Sequence, residues 1–122
     1  MQIVLCNVGE SPRLELVDPE DLHEMQSFVG GFIAIVNLAP GLCLICNEEG
    51  AINGMPLNKQ ILTETSTGRW VCDDIYGNFF ICGHDGPDLV SLGDAEARYL
   101  MIICKNDAVA ISRRTVQHLQ EV

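Results

Sequence analysis

Positive charge is scarce in this chain: 7 Lys and Arg stand against 17 Asp and Glu in 122 residues, for a formal net charge of −10. A surface so short of cations cannot gather the counterion-displacing contacts that nucleic acid and anionic membranes require, so direct nucleic-acid binding and broad membrane association are excluded. Long apolar runs are also missing. The longest, Phe32 to Val36 and Gly41 to Cys46, fall far short of the ~20 residues that cross a bilayer. The first residues carry no basic segment ahead of their apolar stretch and no small-residue cleavage site, so an export signal is not expected and a cytoplasmic location in a bacterial cell is. Charged residues make up only 20% and apolar ones 48%, which places the chain among folded domains rather than disordered ones. Its length suits one domain, spanning residues 1–122. Cysteine is the one reactive residue in good supply, with six, and in a reducing compartment these read as buried free thiols.

Gln2 to Val8 is β-branched and apolar and predicts a strand, and Arg13 to Val17 alternates like its hairpin partner. Asp18 as cap, Pro19 in the first turn, and Leu22, Met25, Phe28 and Val29 on one face predict a helix that Gly30-Gly31 ends. Phe32 to Leu38 and Leu42 to Cys46 are near-continuous apolar runs, which predict two paired central strands with both faces covered. From Ala51 to Thr67 the pattern breaks up and predicts irregular chain around the Asn53-Gly54 turn. Trp70 to Cys72 and Asn78 to Gly83 predict further strands, and Asp94 caps a helix over Ala95 to Met101. Tyr99 to Cys104 and Ala108 to Ile111 read as a hairpin, followed by a closing helix over Arg113 to Glu121 with Val116 and Leu119 inward. The sum is an α+β fold, a mostly antiparallel sheet with helices packed on one face.

Four ordered segments carry a resemblance. Val29-Gly30-Gly31-Phe32-Ile33, Leu44-Ile45-Cys46-Asn47-Glu48-Glu49-Gly50, Gly54-Met55-Pro56-Leu57-Asn58-Lys59 and Gly77-Asn78-Phe79-Phe80-Ile81-Cys82-Gly83 resemble, in order and spacing, a small family of bacteria, their phages and mobile elements known only as a domain of unknown function. The resemblance covers about residues 26–99 and leaves 105–122 unplaced. It implies a single α+β domain whose motifs are tied to no catalytic role. The family often carries Arg where this chain has Lys59, which weakens a bidentate anion contact there.

Several side chains nonetheless point to binding. Asn47, Glu48 and Glu49 leave a buried strand and lead to Asn53, Asn58 and Lys59, concentrating amides and carboxylates suited to base edges and ribose hydroxyls, although Asn-Gly pairs also simply make turns. Arg113 and Arg114, beside a helix start, add cations and free backbone amides for a phosphate. Cys43 and Cys46, three apart in a strand, face opposite ways and cannot share a metal. Cys82, His84 and Asp85 lack a fourth ligand, so no metal is expected. His23 and His118 fall on polar stretches with no nucleophile beside them, and Asp73-Asp74 and Glu48-Glu49 are neighbours that diverge in a strand, so neither a catalytic residue nor a cofactor is expected. The expectation is a non-catalytic accessory protein of a phage or mobile element that sequesters a nucleotide-like signal in counter-defence. The alternatives are an acidic module that inhibits a host defence protein, as a nucleic-acid mimic does, and, last, a small enzyme. The high apolar content further predicts a homo-oligomer, a dimer or higher.

Overall fold

The opening alternation forms a hairpin of β1 (Gln2–Cys6) and β2 (Arg13–Leu16), paired antiparallel from Gln2 opposite Leu16 to Leu5 opposite Arg13. The computed structural model describes residues Met1–Val122. Helix α1 (Leu22–Val29) starts one turn later than the Asp18 cap implies: Asp21 is the N-cap and accepts from the Glu24 amide at 3.0 Å. Asp18 instead accepts from Glu20 N at 2.9 Å, a turn that local Asp side chains make readily. Gly30 ends the helix in the left-handed conformation, φ 78°, which a side chain would strain. Met25 and Val29 are buried beneath α1, whereas Leu22 is exposed.

The two apolar runs form β3 (Ile33–Ala39) and β4 (Leu42–Asn47), but only β4 is central. The six-stranded sheet runs β2-β1-β7-β4-β3, with β7 (Phe79–Asp85) between β1 and β4 and β8 (Asp88–Val90) paired to β7. Every residue of β4 is buried, while β3 lies at the edge and exposes Ile35. Within Ala51 to Thr67, expected to be irregular, lies β5 (Leu57–Glu64), the longest strand of the chain. It pairs antiparallel with β6 (Trp70–Tyr76) and parallel with β9 (Ala108–Ile111), giving a second, three-stranded sheet. The hairpin expected between Tyr99 and Ile111 does not form. Tyr99 belongs to α2 (Asp94–Ile103), whose long amphipathic run carries on to Ile103, so Ala108 to Ile111 finds β5 instead. Glu96, not Asp94, holds the start of α2, accepting from Gly93 N at 3.1 Å. Helix α3 (Arg113–Gln120) closes the chain with Val116 buried.

The fold is α+β with mostly antiparallel strands. Its layers depart from one sheet with helices on one face. One face of the large sheet, with Ile3, Leu5, Cys43, Ile45, Phe80 and Cys82, packs under α1. The other, with Val4, Leu44, Cys46, Phe79 and Ile81, packs against the small sheet, α2 and α3. Alternation along β1, β4 and β7 makes both faces apolar, so each needs a cover. Fully buried side chains such as Phe79, Phe80 and Ile81 each contribute about 1.5–3 kcal/mol of transfer free energy.

Candidate functional site

Inward positions on β5 alternate as Lys59, Ile61 and Thr63, all three buried, so the strand that brings Ile61 into the core also buries the stem of a lysine beside it. Lys59 is only 7% exposed and makes no side-chain hydrogen bond or ion pair; the ion pairs of the molecule join Arg13 to Glu10 and Glu15. The aliphatic stem is what is buried; the ammonium nitrogen, like every other unpartnered side-chain nitrogen or oxygen of the molecule, still reaches solvent. Lys59 lines a cleft of about 380 Å³ between the turn after β1 and the segment before β9, with Glu10, Ser11, Asn58, Lys105 and Asp107 around it. Behind it sit Cys6 and Cys104. The neighbouring Cys104 sulfur, and then burial, push the Cys6 thiol above the ordinary range, while the Lys59 charge favours negative charge on both sulfurs. Such a cleft can hold a small anion against Lys59 and Lys105.

The expected cluster around Asn47 is divided by the fold. The amide of Asn47 donates to Val29 O at 3.2 Å and accepts from Glu49 N at 2.8 Å, tying the end of α1 to the turn after β4. Glu48, Glu49 and Asn53 are exposed on that turn. Gly50 lets the turn pass against β6, since a Cβ there would stand 2.9 Å from Tyr76 O. Asn58 lies beside Lys59, yet its amide nitrogen is spent on Cys6 O and Gly77 O, both at 2.9 Å. Of the predicted residues, then, Asn58 and Lys59 share one cleft, and Asn47, Glu48, Glu49 and Asn53 share a turn elsewhere.

Arg113 occupies a third place. It opens α3 as expected and lines a cleft of about 480 Å³ with Asn37, Thr63, Thr65, Ser66 and His84. Its backbone amide already has a carboxylate, Glu64 Oε1 at 3.2 Å, and the Ser112 hydroxyl caps Thr115 N at 3.1 Å. Arg114 is exposed. Because Lys59 and Thr63 are four residues apart on one strand, the two clefts are separated by about 13 Å along β5. Ser11, Lys105 and Asp107 belong to no motif in the sequence and come together only through the fold. The signal that marks Lys105 in the sequence is scarcity, since it is one of only 7 Lys and Arg.

Cys43 faces α1 and Cys46 the small sheet, so the two sulfurs lie on opposite faces as their spacing requires. Cys43 instead meets Cys82 across β4 and β7, sulfur to sulfur at 3.6 Å. Five of the six cysteines are buried and all are free; Cys72 is exposed on β6. His23 and His118 are exposed, and no group of three or more His, Cys, Asp or Glu is placed to hold a metal ion. No helix is long and apolar enough to cross a membrane.

A family model described as a domain of unknown function, DUF3846, matches residues 1–103. The match takes in the β1–β2 hairpin ahead of residue 26 and stops where α2 ends, before β9 and α3. Neither the curated proteins nor the solved structures contain a match.

Proposed function

The chain belongs to the DUF3846 family, and within that family we propose that it is a non-catalytic binding domain that takes a small phosphate-bearing, nucleotide-like molecule in the Lys59 cleft. The observation that carries this reading is the Lys59 side chain, buried along its stem and free of any hydrogen bond or ion pair, whose solvent-reaching ammonium opens onto a cleft with a second cation, Lys105, beside the carboxylates of Glu10 and Asp107. In a molecule of net charge −10, an anion is held only where cations are gathered locally, and an ammonium with no protein partner keeps all three of its donors for a phosphate. The occurrence of the resembling family in phages and mobile elements supports a counter-defence role, in which binding withdraws a host signal from its receptor.

Native mass spectrometry and calorimetry with mono-, cyclic and ADP-ribose-type nucleotides test the proposal. A stoichiometric adduct is expected, with affinity at least about tenfold weaker in Lys59→Met and Lys105→Ala and unchanged in Arg113→Ala. Loss in Arg113→Ala alone would transfer the site to the larger cleft. Absence of any adduct would overturn the reading.

A further inference from the structure

Strand β3 is an open sheet edge of a kind that folded domains normally guard. The amide of Glu48 donates to Phe32 O, which makes Phe32 and Glu48 a bonded pair in the β3–β4 register. Bonded and non-bonded pairs alternate along antiparallel strands, so Ala34 and Val36 also bond to β4, while the N–H and C=O groups of Ile33, Ile35 and Asn37 point away from the sheet. Nothing guards them. From Ile33 to Ala39 there is no charge and no proline, whereas the opposite edge, β2, follows Pro12 and carries Arg13 and Glu15, and the equally long β6 carries Asp73 and Asp74. Side chains add to the edge: Phe32 is 70% and Ile35 57% exposed.

We propose that β3 pairs antiparallel with β3 of a second copy about a two-fold axis at Ile35. In that register Ile35 bonds to Ile35, and Ile33 to Asn37 in both directions, so all the outward backbone groups of these residues are satisfied. Ala34 then stands beside Val36 of the second copy, and the exposed Phe32 opposite its Leu38. The strand is thus complementary to itself, as a two-fold interface must be. Charge selects the same place: two molecules of net charge −10 repel over most of their surfaces and approach most easily along an uncharged strand. This proposal is independent of any ligand in the Lys59 cleft.

Sedimentation velocity and native mass spectrometry test it. The wild-type chain is expected at twice the 13.4 kDa of one copy. Ile35→Lys and Ile35→Pro are expected at the mass of one copy with unchanged circular dichroism, since the first places a charge on the edge and the second removes an N–H that β4 does not use. In a Cys72→Ser background, Ile35→Cys is expected to form a covalent dimer with oxidised glutathione, and Asn37→Cys is not, because only position 35 meets its own copy. A wild-type chain at single mass overturns the proposal, as does a dimer that survives both Ile35→Lys and Ile35→Pro. A dimer lost in Leu14→Lys and kept in Ile35→Lys assigns the contact to β2 and overturns it equally.

Discussion

Asn58 shows how a polar side chain in a cleft wall can serve the fold rather than a ligand. Its single amide nitrogen serves carbonyls from two places, Cys6 at the end of β1 and Gly77 between β6 and β7. Asn58→Ala leaves both without that donor and is expected to lower stability by about 1–3 kcal/mol in chemical denaturation, whereas Asn53→Ala, on an exposed turn, is expected within about 0.5 kcal/mol of wild type. Lys59→Met should leave the fold intact where Asn58→Ala weakens it. It keeps the buried aliphatic stem and removes only a solvent-reaching charge, so the thermal midpoint is expected to hold while anion binding weakens at least about tenfold. The sequence showed these residue types and not their directions: Asn47 and Asn58 look the same in one dimension whether they face a ligand or their own backbone. Only the β5 alternation, once the strand is known, sends Lys59 inward.

At the level of elements, helix α1 offers a direct check of its own start. Asp21→Ala removes the side-chain acceptor for Glu24 N and is expected to cost about 0.5–2 kcal/mol, with Asp18→Ala costing less because its turn lies outside the helix. Equal costs in urea denaturation would place the cap at Asp18. Periodicity and punctuation made β1, β4, β7 and α1 legible, because each buries apolar side chains, while β2, whose Leu14 and Leu16 are exposed, was legible from its alternation after Pro12. Strand β5 was hidden by its inward Lys59 and Thr63, which break the apolar alternation that marks a strand. Two runs of equal hydrophobicity, β3 and β4, could not be told apart as edge and centre, since that depends on β7 inserting beside β4 from 35 residues further on. The partner of β9 was equally out of reach: a parallel pairing leaves no turn between its strands to read.

The whole molecule responds to pH and salt through groups already described. Burial, with Asp73 nearby, pushes the Cys46 thiol above its ordinary 9.0. The folded chain therefore keeps a proton that the unfolded chain releases, so this stability is complete below pH 9 and is lost as pH rises above it. Cys46→Ala is expected to flatten the alkaline fall of the unfolding midpoint, which a series of melts from pH 7 to 10 would show. Added salt is expected to tighten the β3 dimer by screening two like-charged bodies, the reverse of its effect on an interface made of ion pairs. One more consequence lies in the parallel pairing of β5 with β9. Strand β9 buries Val109 and Ile111 and lies beyond the family match, yet it completes the small sheet. During synthesis β5 leaves the ribosome long before β9 exists, so its inner flank must wait, unpaired, for a segment made 48 residues later, Gln60 for Ala108 as Thr63 for Ile111. The nascent chain is then most open to capture by chaperones, and to mispairing with a neighbour on the same message, in the interval between those two strands.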